Sequence, residues 1–358
     1  MVRRWAAGVH DPPARPVLGR GVVGDLDAAK AAFLAGRLDE AEAGMRAALV
    51  HEPVMAANDL GGLLAHRGRT EAGVRYLLKA LERQPAWAMP RYNLAIAFLR
   101  LGFSDLGWIL MEARRGIPEL KVPAPDFPFP EWRGEPLGGR RIIVLGEQGA
   151  GDQVMFARYV PELRRRGAEP VFVCLDTLAG LLPDSVAGVA RNTPADFWAP
   201  MMSLPYRLGP EGGAPPPPDL GIAPRGGGGI GVVAAGSPIH VNDRNRSLRG
   251  DDARRLLGLG RDLSPAATGA RDFRETAEII AGLDLVISVD TSVAHLAATL
   301  GTPTWILIPA LGTDWRWGRE GTASPWYPAA RLYRQPRSDD WASVLDEIKR
   351  DLAALGLS

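Results

Sequence analysis

Two stretches of this sequence hold residues whose types and spacing could do chemistry. The first, "GEQGAGDQVMFARYVPEL" at 146–163, follows the apolar run "RIIVLG" and sets Glu147, Gln148, Gly149 and Gly151 ahead of an acid, Asp152. A Walker-type phosphate loop needs Gly-Lys-Ser/Thr after its glycines, and Gly151 is followed by Asp152, so an ATPase reading fails. A dinucleotide fingerprint needs G-x-G-x-x-G, whereas these glycines fall at 146, 149 and 151. What remains is a strand that turns tightly into a helix and brings backbone close to a ligand. Asp152 near that helix start is a favourable cap, although a cap alone leaves the surrounding glycine pattern unexplained.

The second stretch is "LDLVISVDTSVAHLAATLGTPTWIL" at 283–307. Its apolar run reads as a buried parallel strand ended by Asp290 and Thr291, with Thr291 or Ser292 able to cap the following helix. Val293, Leu296, Ala297 and Leu300 recur at helical spacing, Gly301 closes the helix and Pro303 enters the next strand. This predicts a helix N-terminus at the carboxyl edge of a sheet, where free N–H groups attract a phosphate by roughly 0.3–2 kcal/mol. His295, one turn in, is either a structural histidine or a ligand contact. Arg244 and Arg246 in "NDRNRSL" are either a solvated pair or bidentate partners of the same phosphate. No His/Asp/Glu cluster has metal-ligand spacing, so neither metal nor cofactor is expected.

The elements that must position these groups come in blocks. "GRLDEAEAGMRAALVHEP" (36–53) and "GRTEAGVRYLLKALERQP" (68–85) share a pattern, and "NLAIAFLRLGFSDLGWILMEARRGIP" (93–118) repeats part of it. The turn glycines 36, 68 and 102 lie 32 and 34 residues apart, a spacing that resembles the tetratricopeptide repeat; an ordinary helical bundle is the alternative. Gly73 and Gly107 stand where that repeat usually has alanine. "IPELKVPAPDFPFPEWRGEPLGG" (117–139) is too rich in proline for helix or central strand and reads as a linker packed by its aromatics. Beyond it strands and helices alternate, interrupted by a proline–glycine hinge or loop at 209–229. Helices are expected from about 152, near 251–258 and 274–282, and at 292–300 and 340–355. Two α/β halves facing a cleft follow from that alternation.

Composition limits the partners. A net charge of +1 gives no pull toward nucleic acid or acidic membranes. Lysine stands only at 30, 79, 121 and 349, so the many arginines reflect coding bias rather than a phosphate-binding patch. The one cysteine, Cys174 in "VFVCL", cannot form an internal disulfide and reads as a small buried hydrophobe. The opening "MVRRWAAGVHDPPARP" has no apolar core of a signal peptide, and no run reaches the ~18 residues that span a bilayer, so a cytoplasmic protein is expected.

The two stretches, together with "HVNDRNRSL", "DWRW" and "SPWYPAARLYRQ" after the repeats, resemble bacterial tetratricopeptide-repeat glycosyltransferases of the flagellin-glycosyltransferase kind. Their catalytic half is related to the lipopolysaccharide heptosyltransferases, and the similarity covers roughly residues 29–352. It implies an α + α/β fold class: N-terminal tetratricopeptide-type helical repeats, then a GT-B module of two Rossmann-like domains. The expected divisions are repeats at 22–118, linker at 119–139, an acceptor-side domain at 140–225 and a nucleotide-sugar domain at 226–358. Asp152, with Pro161 and Leu163 in register, matches the family's proposed catalytic base. Asp290, Thr291, His295 and Gly301 match its donor-diphosphate segment, which brings Ser292 with it. Glu147, Gln148, Gly149 and Gly151 become the acceptor-side loop, and the Asp152 carboxylate is expected in the cleft between the two α/β halves, facing the 291–295 helix end across a sugar-sized gap. The implied reaction is an inverting, metal-independent transfer from a nucleotide-sugar donor to an acceptor hydroxyl, on a protein bound by the repeats. An inactive adaptor, or a transferase for a lipid-linked or small glycan acceptor, are the alternatives. The sequence departs from the family in the short "LGLGRDL" and at Ala234, both near the expected donor pocket.

Overall fold

The computed structural model describes residues 25–209 and 213–357. The reading of residues 1–16 as lacking a signal peptide lies outside them. Two compact units are present: one runs to Glu119 and takes in Leu311–Arg319, the other comprises Leu120–Ala310 and Glu320 onward.

The first unit is built from helices in successive pairs: α1 (Leu26–Leu34) with α2 (Leu38–Ala48), α3 (Pro53–His66) with α4 (Thr70–Arg83), and α5 (Ala88–Arg100) with α6 (Ser104–Met111). Gly36, Gly68 and Gly102 close the first helix of each pair with φ of 80°, 80° and 83°, the left-handed turn that favours glycine. At Gly73 a side chain is excluded for another reason. A Cβ there would stand 2.5 Å from the Gly61 carbonyl oxygen, so α3 and α4 touch backbone to backbone. Leu60, Leu63, Leu64, Met45 and the small Ala29, Ala41 and Ala56 fill the space between the first pairs.

Leu311–Arg319 lies within the stretch expected to form the C-terminal domain, yet it packs with the helices. Trp315 meets Trp108 edge to face at 5.3 Å, the Gly312 N–H donates to the His66 carbonyl at 2.9 Å, and Arg319 pairs with Glu71. Large aromatics with an apolar surface to cover explain this excursion better than any strand pattern could.

The second unit holds two parallel sheets. In the first, β1 (Arg141–Leu145), β2 (Glu169–Val173), β3 (Ser185–Val186) and β4 (Phe197–Pro200) lie in the order β3-β2-β1-β4, with α7 (Ala150–Phe156) and α8 (Tyr159–Arg165) between β1 and β2. The helix expected from about 152 thus starts two residues earlier and is broken in two. The proline-rich stretch is more than a spacer. Trp132 donates its backbone N–H to the Trp198 carbonyl at 2.8 Å, and Trp198 donates to Pro130, which adds a one-residue parallel bridge at Glu131 to the free edge of β4. Pro130 supplies only its carbonyl and Trp132 the N–H, so the bridge asks nothing of the N–H that proline lacks. Its aromatics do pack: Phe127 stacks on Phe129 at 4.9 Å, and Trp132 is 2 % exposed.

After α9 (Leu204–Leu208), the second sheet takes β5 (Ile230–Val233), β6 (Arg261–Asp262), β7 (Leu285–Val289), β8 (Thr304–Ile308) and β9 (Ala330–Arg334) in the order β6-β5-β7-β8-β9. Its helices are α10 (Asp243–Arg246), α11 (Gly250–Leu257), α12 (Pro265–Thr268), α13 (Phe273–Ala281), α14 (Ser292–Leu300) and α15 (Trp341–Leu355). Every residue of β7 and β8 is buried, as strands covered on both faces require. The short "LGLGRDL" yields only two paired residues, at β6.

Candidate functional site

Both sequence-predicted stretches lie at carboxyl ends of central strands of the second unit. In the first sheet β1 and β4 are neighbours while β2 and β3 run away on the other side, so a topological switch point lies beyond the ends of β1 and β4. The 146–152 loop occupies it, and most of its polar side chains turn out to brace it. Glu147 is 3 % exposed and its Oε1 accepts the Met202 N–H at 2.9 Å, tying the end of β1 to the turn after β4. Gln153, buried, accepts the Leu175 N–H at 2.9 Å and so ties the same loop to the end of β2. Glu147, expected in the acceptor-side loop, is buried there and crosslinks it.

Gln148 is exposed and left-handed, with φ of 59°, a conformation a non-glycine residue rarely holds without cause. Its Nε2 reaches the Leu120 carbonyl at 3.5 Å. Gly149 precedes α7, and its N–H donates to Asp152 Oδ2 at 3.1 Å. The capping role is therefore occupied by one carboxylate oxygen of Asp152, which is half-buried at the third position of the helix.

Beyond β7, Thr291 is extended and its hydroxyl accepts the Ala294 N–H at 3.5 Å, the capping arrangement expected from the sequence. The same hydroxyl lies 3.0 Å from that of Ser288, a buried strand residue the sequence reading passed over. Ser292 and Asp290 are half-buried, and His295 is 6 % exposed with Nε2 3.9 Å from Asp290 Oδ1. Its Nδ1 lies 2.8 Å from the hydroxyl of Tyr327, which is wholly buried.

The two stretches meet. A Cβ at Gly151 would come within 2.8 Å of His295 Cδ2 and 3.4 Å of Ser292 Cα, so the starts of α7 and α14 are packed together at this point. At Gly151 the two helix starts touch, while the expected gap is that between the Asp152 carboxylate and the start of α14. Asp152, Gly149, Asp290, Ser292 and His295 are thus gathered around one junction of two helix N-termini.

Arg246 and Arg244 separate. Arg246 is buried; its Nη1 donates to the Asp290 carbonyl at 2.7 Å and its Nε faces Asp243 Oδ1 at 3.4 Å. A Cβ at Gly236 would stand 2.5 Å from the Arg246 guanidinium, which is the space that glycine leaves. Arg246 therefore holds the end of β7 in place, while Arg244 is exposed on α10. Two further residues escaped the sequence reading although both stand in its quoted motifs. Arg158, 2 % exposed, lies 5.1 Å from the Tyr327 ring centroid and donates to the Trp326 carbonyl. Burial holds its guanidinium below the usual arginine value, against the opposing influence of Tyr327 and Tyr159.

A hollow of about 260 Å³ adjoins the loop, lined by Pro123, Leu145, Gly146, Gln153, Val173, Cys174 and Leu175. Burial pushes the Cys174 thiol up, which keeps it an inert apolar wall. Among the described residues no group of three or more His, Cys, Asp or Glu is placed to hold a metal ion, and no helix is long and apolar enough to cross a membrane.

Comparison with known proteins bears on the second stretch. The model of glycosyltransferase family 9 (heptosyltransferase) matches residues 260–307, the segment from β6 to β8 that contains Asp290 and His295. Protein FlbA of Caulobacter vibrioides (strain ATCC 19089 / CIP 103742 / CB 15) is 25% identical over 377 residues, which cover 85% of this chain and 61% of that protein. The chain spans less than two thirds of that relative's length. An O-GlcNAc transferase mutant from Thermobaculum terrenum aligns over 92% of this chain and 83% of its own, with 15% identity and a TM-score of 0.32, a likeness too slight to carry an inference about fold. The family match, falling on the strand and helix that carry the capped N-terminus, supports a glycosyltransferase.

Proposed function

We propose that the chain transfers a sugar from a nucleotide-sugar donor to an acceptor hydroxyl, with the leaving diphosphate held at the start of α14. One observation carries this reading: the family-matched segment ends its buried strand in a threonine-capped helix N-terminus, with His295 one turn in and Asp152 on the adjoining helix start. Free backbone N–H groups and the helix dipole suit a departing phosphate.

In the proposed step Asp152 takes the proton of the acceptor hydroxyl as its oxygen attacks the anomeric carbon. The bond from that carbon to the phosphate oxygen breaks, inverting the centre, and the diphosphate leaves toward Ser292 and His295. Asp152 Oδ2 accepts the Gly149 N–H, which orients the carboxylate. Charge on the leaving group falls to the helix end, His295 and Arg244, a metal-independent scheme. Arg246 acts through the Asp290 carbonyl.

The helical unit is proposed to be of the tetratricopeptide type and to bind a protein acceptor in the cytoplasm, with flagellin the kind of acceptor the resemblance suggests. Its turn glycines and paired helices support that reading. The test is a thermal-shift screen of the whole chain against nucleotide sugars. A ligand at 100 times its Kd stabilises by about 2.7 kcal/mol. If no nucleotide sugar or nucleoside diphosphate raises the midpoint, the donor reading is wrong.

A further inference from the structure

We propose that the hollow beside Gly146 holds an uncharged, apolar residue of the acceptor peptide, next to the residue that is modified, with a peptide carbonyl accepting from Gln153. This rests on the reading of the 146–152 loop as the acceptor side, and it adds which neighbour the site asks for. The hollow is lined by the ends of β1 and β2, and its volume of about 260 Å³ is below the ~300–1,000 Å³ of a pocket that encloses a whole small molecule. It suits one part of a larger ligand. Gln153 follows Asp152 directly on α7, so a group held there lies one residue along from the proposed base.

Gln153 is the polar group that selects the occupant. It is 4 % exposed, and its Oε1 accepts the Leu175 N–H at 2.9 Å, which fixes which way round the amide lies. The Nε2 end belongs to the wall of the hollow and meets no acceptor among the described residues. A Cβ at Gly146 would come within 3.1 Å of that nitrogen, so the glycine keeps it uncovered. A buried amide donor without an acceptor is costly, and a ligand oxygen supplies one.

The walls set the rest of the match. Pro123, Leu145, Val173, Cys174 and Leu175 are apolar, and none of the described residues lining the hollow is charged. Leu175, 43 % exposed, carries the apolar wall outward. A phosphate or carboxylate placed there would lose water and gain no counter-charge, which turns away a phosphate-bearing, lipid-linked acceptor. A bare sugar would bring several hydroxyls to one donor, and a hydrocarbon chain would bring no oxygen for Gln153. A peptide brings both an apolar side chain and a neutral carbonyl, once per residue.

The experiment uses Cys174, the one cysteine of the chain, as a reporter in the wall. Iodoacetamide alkylation of the whole folded chain, read by mass spectrometry, measures access to it; mildly alkaline buffer offsets the raised thiol. The peptide acetyl-Val-Ser-Val-amide should slow the reaction, about elevenfold at ten times its Kd, whereas acetyl-Asp-Ser-Asp-amide should not. Gln153→Glu keeps an acceptor for the Leu175 N–H and replaces the donor by an oxygen, so the valine peptide should no longer protect. Undiminished protection in that variant overturns the proposal. The wild type decides even if the variant does not fold. There, no protection by the valine peptide, equal protection by the aspartate peptide, protection by octanol alone, or a thiol that iodoacetamide never reaches each overturns it. Valine-peptide protection in a protein that binds no nucleotide sugar upholds the hollow and overturns the donor reading instead.

Discussion

Gly151 lies against His295 so closely that one methyl group at Gly151 would stand 2.8 Å from the imidazole Cδ2. The ring cannot swing aside cheaply, because its Nδ1 is held by the buried Tyr327 hydroxyl. Gly151→Ala should therefore destabilise the second unit by about 1–2 kcal/mol, the overpacking cost exceeding the gain in helix propensity. Denaturant titration of the variant measures it. A neutral or stabilising outcome would mean that the two helix starts part easily.

Asp152→Asn separates capping from catalysis. Asparagine can still accept the Gly149 N–H, so stability should change by less than about 1 kcal/mol. Turnover should drop roughly 10²–10⁴-fold with donor affinity nearly unchanged, if the carboxylate takes the acceptor proton. Steady-state kinetics on the Asn variant decide, and near-normal turnover would leave Asp152 as a cap alone.

At the α14 end, His295→Ala and Ser292→Ala should each weaken nucleoside diphosphate binding, by about 1–2 kcal/mol for a lost charge-assisted contact. Thr291→Val differs from both. Its hydroxyl caps the helix and lies 3.0 Å from that of Ser288, so stability should fall by about 1 kcal/mol as well. Calorimetric titration alongside thermal midpoints distinguishes the two effects.

Acid should loosen the helical unit through Glu42. Burial raises its pKa, but Arg69 and Arg46 outweigh that and hold the carboxyl below the ordinary value of 4.5; Arg67 donates to it as well, at 2.9 Å. A depressed folded-state value stabilises fully above the unfolded one and is lost as pH falls through the folded one. Midpoints of the helical transition should thus decline below about pH 4.5. In Glu42→Gln the decline should flatten, while stability at neutral pH drops by roughly 1–3 kcal/mol as three arginines lose their common partner. An equally steep acid limb in the Gln variant would assign the effect to other carboxylates.

What the sequence revealed and what it hid divide along the range of the interactions. The β7–α14 unit was legible: apolar run, Asp290, Thr291, helical spacing and Gly301 are all local, and α14 spans Ser292–Leu300 as expected. The turn glycines were legible for the same reason, since a left-handed turn marks its own residue. Gly73 was readable only as a departure, because its cause, the Gly61 carbonyl, lies on another helix. Glu147 and Arg246 looked like ligand residues because charges near a glycine loop or a helix end usually are. Their partners, the Met202 N–H and the Asp290 carbonyl, are 55 and 44 residues away, and no spacing rule announces such ties. Tyr327 stood unremarked inside "SPWYP" because its importance lies in a histidine 32 residues earlier.

The excursion of Leu311–Arg319 into the helical unit has a consequence for synthesis. Translation delivers the chain N-terminus first, and domains generally fold as they emerge. Here the six described helices leave the ribosome with the place of Trp315 beside Trp108 still empty, since that tryptophan is encoded about 200 residues downstream of Glu119. At ~5–20 residues per second, the nascent helices wait roughly 10–40 s for it. For that interval Trp108 lacks its edge-to-face partner and Glu71 its arginine, so the nascent chain offers a chaperone a surface that the finished protein covers.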